Sequence, residues 1–300
     1  LFRSVEVSPE LVMIVPGGKV TMFMAILMFG EPGADILYPD PGFPIYRSMI
    51  EFTGARAIPV PVREENGFAF SAEETLSLIT PKTRGIMICN PNNPTGYLYS
   101  KSELESLSKL VKKYDLWLFS DEVYREFCYD DKQYYSVMHL KDIAQNVVML
   151  DSISKRYSAC GARIGALISR NKDLMSAALK FAQARLSPPT FGQVAAEAAI
   201  DTPESYFNGV KAEYVARRNF VVEELNKMDG VFCPKPSGAF YCIARLPIDN
   251  SDLFCQWLLE KFSYEGSTVM LAPATGFYST PGSGKNEVRI AYVLNLEDLR

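Results

Sequence analysis

Along the first two thirds of the chain, short continuous apolar runs alternate with stretches whose apolar residues return at helical spacing. The runs at 35–38 (DILY), 54–62 (GARAIPVPV), 85–89 (GIMIC), 116–119 (LWLF), 147–150 (VVML) and 164–169 (IGALIS) read as strands. They lack the strict in–out alternation of a half-exposed strand, so burial on both faces is expected. Helical patterns lie between them. One opens on Gly17 and Gly18 and continues through VTMFMAILMF, and another starts at Ser71. A third begins at a capping box, Ser100 with Glu103, and carries Leu104, Leu107, Leu110 and Val111 along one face. Buried strands alternating with helices predict an α/β fold in which helices sandwich a mostly parallel sheet.

After about residue 204 the texture changes. A long helical pattern, ESYFNGVKAEYVARRNFVVEELNKM, leads to GVFCPKPSGAFYCIARL, a second helix over DLFCQWLLEKF and a strand over EVRIAYVL. This predicts a large domain over 1–204 and a smaller α+β C-terminal domain over 205–300. No internal repeat or low-complexity linker separates them.

Ligands of parallel sheets bind outside the carboxyl ends of the strands. Asn93, Asp121 with Tyr124, and Ser152 with Lys155 each follow such an end, and their convergence on one crevice is expected. Lys155 is the lysine that stands out, because Lys101, Lys109, Lys112 and Lys113 belong to an exposed helix face. The composition, 48% hydrophobic and 22% charged, is that of a folded globular protein. A net charge of −4 offers no electrostatic case for nucleic acid or an anionic membrane, so an anionic ligand must be met by a few placed cations. With His139 the only histidine and no C-x-x-C among six cysteines, a zinc centre and a Ser-His-Asp triad are excluded. The thiols are expected to be reduced core residues of a cytoplasmic protein. No apolar run reaches spanning length and no signal peptide is visible. The chain opens on Leu1 in mid-pattern, and a longer native chain is expected.

Five motifs now fall in order: PGGK at 16–19, NPNNPTG at 90–96, SDEVY at 120–124, SISKRYSACGARIG at 152–165, and VRIAYV, which contains Arg289. Together they resemble the class I/II aminotransferases of fold type I, which depend on pyridoxal 5'-phosphate, and within them the aspartate-aminotransferase-like subgroup. The resemblance implies that Lys155 holds the cofactor as a Schiff base and carries the substrate proton. A desolvated lysine near cations loses basicity, which suits that work. It implies that Asp121 faces the ring nitrogen, where a carboxylate at about 4 Å contributes roughly 4 kcal/mol at an effective dielectric near 20. Glu122 points to the other side of the extended chain. Tyr124 and Asn93 are implied as donors to the ring oxygen, Phe43 as the stacking ring, and Gly18, Lys19, Ser152 and Arg163 as the phosphate site. Gly17, Gly18 and Lys19 contribute amides at a helix start, and Gly161 and Gly165 are expected to allow close backbone approach. Arg289, with Asn93, is implied to bind the substrate α-carboxylate. GSGK at 282–285 has the wrong spacing for a phosphate loop and reads as a turn.

The implied function is transfer of an amino group between an amino acid, best taken as aspartate from the GGK loop and NPNNPTG, and a 2-oxo acid such as 2-oxoglutarate. Alanine and aromatic donors are the rivals. A C–S β-lyase or an aminocyclopropane carboxylate synthase would share the Lys155 chemistry. A non-enzymatic regulator would need a DNA-binding segment, and none is visible. A homodimer is expected, in part because VTMFMAILMF is too apolar for a free surface; neither nucleic acid nor membrane is an expected partner. The family's segment before the glycine loop and its C-terminal helix have no counterpart here.

Overall fold

A computed structural model describes residues 5–300. Seven strands form one sheet in the order β1-β7-β6-β5-β4-β2-β3. They are β1 (Val12–Val15), β2 (Asp35–Asp40), β3 (Arg56–Pro61), β4 (Thr83–Cys89), β5 (Trp117–Asp121), β6 (Val147–Ser152) and β7 (Gly165–Ile168). From β3 across to β6 every pairing is parallel, while β7 runs antiparallel to both β6 and β1. Every residue of β2 and β6 is buried, as their unbroken apolar runs require.

Local chemistry starts the helices. Ser71 Oγ accepts from Glu74 N (3.1 Å) ahead of α3 (Ala72–Leu78). Ahead of α4 (Lys101–Tyr114) the capping box closes both ways, with Glu103 N on Ser100 Oγ (3.2 Å) and Ser100 N on Glu103 Oε2 (2.7 Å). Leu104, Leu107 and Val111 are fully buried, and the four lysines of that helix stay exposed. The helix α1 (Gly18–Leu27) buries Met22, Met24, Ala25 and Ile26 inside this same chain, while Val20, Phe23 and Leu27 stay partly exposed. Two elements depart from the sequence reading. The strand β1 was not anticipated, since it is four residues long and its partner lies far along the chain. The stretch PGFPIY, to which no element was assigned, enters the helix α2 (Pro44–Phe52), with Pro44 at the first position, where its missing N–H costs nothing.

The second sheet, β8-β10-β9, is antiparallel and joins β8 (Tyr241–Arg245), β9 (Ala272–Pro273) and β10 (Glu287–Ala291). After β7 come α6 (Lys172–Arg185) and α7 (Thr190–Ala198); α8 (Glu204–Leu225) meets the segment before β8, with the Tyr214 and Phe240 ring centres 5.6 Å apart, α9 (Ser251–Glu260) packs near β9, and GSGK is a turn before β10. Main-chain bonds tie the two sheets together: Ser237 N and Gly238 N donate to Gly96 O (3.0 and 2.8 Å), and Ala239 N to Phe127 O (2.9 Å). A Cβ on Gly96 would lie 2.3 Å from Pro236, and φ there is +70°, so the close approach requires glycine.

Candidate active site

A cavity of about 550 Å³ opens at the carboxyl edge of the large sheet. Strand ends deliver its polar groups. After β4, the loop 90–96 folds on its own amides: Asn90 Oδ1 accepts from Tyr99 N (3.1 Å), and Asn92 O from Gly96 N (2.9 Å). This leaves Asn93 on the cavity wall, where its Oδ1 accepts from Arg289 Nη1 (3.1 Å). Strand β5 ends on Asp121, a buried carboxyl whose pKa is raised to about 6 by burial, a hydrogen bond from Tyr46 OH (2.9 Å) working against the rise. Its neighbour Glu122 faces away, taking hydrogen bonds from Ser136 Oγ (2.8 Å) and Val137 N (3.0 Å). Tyr124 is buried against the second sheet and its OH donates to Tyr241 OH (3.2 Å).

Strand β6 runs into α5 (Ile153–Arg156), a single turn started by Ser152, whose Oγ accepts from Ser154 N (3.1 Å) and donates to Ile164 O (2.9 Å). That turn presents Lys155. Its amine is half-buried, with Nζ 5.6 Å from the Phe240 ring centre. Burial lowers its pKa most; the charges of Arg289 and Lys19 act the same way, against the opposite pull of Cys160 and Asp121.

Three glycines let the remaining pieces touch. A Cβ on Gly17, where φ is +96°, would fall 2.0 Å from Arg163 Nη2; one on Gly165 would lie 2.5 Å from Gly17 C, and one on Gly18 would lie 3.3 Å from Ser152 Cβ. The first turn of α1, Ser152 and Arg163 therefore share one corner of the cavity. Gly161 does not contribute: nothing lies within 4 Å of its would-be Cβ. Arg163 lines the cavity yet is solvent-exposed, donating to Cys160 O (2.7 Å). Lys19 Nζ sits 5.8 Å from the ring centre of Phe43, which also lines the cavity.

Ten of the residues singled out from the sequence line this cavity: Gly18, Lys19, Phe43, Asn93, Asp121, Tyr124, Ser152, Lys155, Arg163 and Arg289. Others were missed. Tyr46 and Tyr241 line it too, and no local pattern marks them among 16 tyrosines. Cys160 corrects the expectation of core thiols, since it is exposed on the cavity wall while the other five cysteines are buried. Arg289 lies between two aromatic faces, 4.4 Å from the Tyr241 ring centre and 4.7 Å from that of Phe277. Its buried Nε has no hydrogen-bond partner among the described residues, an arrangement that calls for an anion.

The family description "aminotransferase class I and II" matches residues 1–299. An aspartate aminotransferase of Pyrococcus horikoshii is 30% identical, over 99% of this chain and 75% of that protein. An aromatic-amino-acid aminotransferase of Thermococcus litoralis is 32% identical, over 96% of this chain and 73% of that protein. Among solved structures, the aspartate aminotransferase of Thermotoga maritima superposes with a TM-score of 0.87 at 31% identity, covering 98% of this chain and 74% of that one. With a matching family along its length, the same fold and a strand-end lysine in a polar cavity, the chain belongs to the class I and II aminotransferases, a family of enzymes that move amino groups with pyridoxal phosphate.

Proposed function

We propose that this aminotransferase binds pyridoxal 5'-phosphate at Lys155 and transfers the amino group of aspartate to a 2-oxo acid such as 2-oxoglutarate, as a cytoplasmic homodimer. The observation that carries the reading is that Lys155, with lowered basicity, shares one cavity with the first turn of α1, Ser152, Arg163 and Arg289.

The residues fit the cofactor by their own chemistry. The first-turn amides of Gly18 and Lys19 have no carbonyl partner within α1, and the helix dipole favours an anion there. Ser152 and the Arg163 guanidinium stand beside them, with only glycine backbone between. When bound, pyridoxal phosphate supplies an aldehyde to carry the amino group and a ring that spreads the electron pair left at the substrate α-carbon. Asp121 would hold a proton on the ring nitrogen, Tyr124 and Asn93 would donate to the ring oxygen, and Phe43 would cover the ring face. Arg289 would take the α-carboxylate through its fork and so aim the α-hydrogen at Lys155. Lys155 Nζ would carry that proton from the substrate α-carbon to the cofactor, its lowered pKa leaving a larger neutral fraction for the task.

Aspartate is favoured by Lys19. Its ammonium has no ion pair among the described residues and lines the same cavity as Arg289, which gives a dicarboxylic substrate a second cation. An aromatic donor is the second reading, favoured by the Phe43 and Tyr241 rings on the walls. Dimerisation is supported by the apolar side chains left open at Leu186 (73% exposed), Phe191 (91%) and Ile200 (76%). The division into domains over 1–204 and 205–300 remains our proposal, supported by the two separate sheets. Among the described residues no helix is long and apolar enough to cross a membrane.

A substrate panel on the holoprotein, following the amino-donor half-reaction, tests this. Aspartate should react at least about tenfold faster than alanine or phenylalanine, one missing charge contact at 1.4 kcal/mol per tenfold. Arg289→Lys should weaken every donor alike. Equal rates for aspartate and phenylalanine would remove the aspartate assignment, and a donor spared by Arg289→Lys would show that its carboxylate is held elsewhere.

A further inference from the structure

Among the described residues no carboxylate aims Arg289. Its fixed contacts are one hydrogen bond to Asn93 and the faces of Tyr241 and Phe277, so its direction depends on where those two rings stand. Tyr241 belongs to β8, which pairs with β10 beside it and needs no further support. Phe277 ends the short 3₁₀ turn Ala274–Phe277, outside any strand. Part of what fixes it lies beside its own sheet, where Tyr278 OH donates to Glu287 Oε2 (2.6 Å), and the rest comes from the large sheet. Gly42 N donates to Phe277 O (2.9 Å), and Tyr38 OH bonds Ser279 Oγ. Asp40, at the end of β2, accepts from Ser279 N (2.6 Å), from Thr280 N (3.2 Å) and from Thr280 Oγ1 (2.7 Å). This carboxyl is 3% exposed and, among the described residues, is spanned by no salt bridge; its partners are neutral donors of one segment. Three positions further on, the same loop carries Phe43, on the cavity wall facing Lys19.

We propose that Asp40 is a positioning residue: by fastening the segment after Phe277 to the loop that carries Phe43, it holds the Phe277 ring against Arg289 and sets the affinity of the site for substrate carboxylates. The proposal rests on the reading of Arg289 as the α-carboxylate ligand. Asp40 touches neither substrate nor cofactor, so it acts on binding and not on the proton transfer at Lys155. A buried carboxyl that accepts three hydrogen bonds from one segment is a suitable fastener, because removing it strands all three donors together.

The test compares steady-state kinetics of holoenzyme variants. Asp40→Ala should raise KM about tenfold for amino donors and for the 2-oxo acid alike, the effect of losing hydrogen bonds to a charged group, while kcat stays within about twofold. The visible absorption of the bound cofactor and its pH titration should not move, because the surroundings of Lys155 are untouched. Asp40→Asn, which keeps one acceptor, should restore part of the loss, a result that a merely structural role would not produce in KM. Thr280→Val removes one of the three bonds from the other side and should raise KM about threefold; it decides the matter if Asp40→Ala does not fold. Unchanged KM in Asp40→Ala and Thr280→Val, or a fall in kcat at constant KM, would overturn the proposal. Arg289→Lys in the same assay separates the two failures. If it leaves KM unchanged, the reading of Arg289 is wrong; if it raises KM while the Asp40 and Thr280 variants do not, only the fastening role is wrong.

Discussion

Two regions of the molecule hold an arginine in opposite ways. Where α8 docks on the loop after β5, Arg218 is wholly buried and its nitrogens are engaged. Nη1 and Nη2 fork onto Asp130 (2.8 Å each), Nη1 also reaches Pro236 O (3.0 Å), and Nε and Nη2 reach Asn219 Oδ1 (3.2 and 2.9 Å). The guanidinium holds the Asp130 carboxyl below the usual carboxylate range and stacks over Tyr129. At the cavity, burial holds Asp121 at a pKa of about 6, Lys155 is pushed below the usual lysine range, and Arg289 keeps an unbonded Nε. Charges that the chain satisfies itself hold the two sheets in place. Charges that it leaves partly unsatisfied mark where a ligand completes the set.

The largest expected effect divides the two arginines by stability. Arg218→Ala should lose about 3 kcal/mol in denaturant unfolding, because it removes a fully buried guanidinium bonded at all three nitrogens and leaves Pro236 O without that donor. Arg289→Ala should stay within about 0.5 kcal/mol, as its removal strands one amide acceptor, while amino-acid turnover is lost. Comparable losses of stability from both would break the comparison.

A smaller effect sharpens it through pH. The Asp130 pKa is depressed, so its contribution is present above the unfolded carboxyl value and fades as pH falls through the folded one. The Asp121 pKa is raised to about 6, so between the unfolded value, about 4, and 6 the folded cofactor-free protein binds the extra proton, and stability falls as pH rises across that window. Asp121→Asn should flatten that part of the profile in thermal unfolding of the cofactor-free protein. A profile unchanged by the substitution would mean that Asp121 does not titrate there.

The legible part of the site is its strand-end part. Asn93, Asp121, Ser152 and Lys155 were readable because each interrupts an apolar run whose burial is dictated by the fold, and a polar residue at that place has few uses. Tyr46, Tyr241 and Phe277 were not, because their roles depend on which rings tertiary packing brings to the cavity, and no local period records that. Likewise β1 has no periodicity of its own and exists by pairing with β7 across most of the large sheet's sequence. Asp40 sits in a stretch dense with prolines, which reads as a turn; its function lies in donors about 240 positions away.

The most direct test of the account is to load the protein with pyridoxal phosphate, reduce it with borohydride and map the labelled peptide. The account predicts a single labelled peptide, the one carrying Lys155, and no label in Lys155→Ala, whose turnover should fall on the order of 10⁴-fold with the loss of the proton carrier. Label retained in Lys155→Ala, or carried by Lys19 or any other lysine, would contradict it.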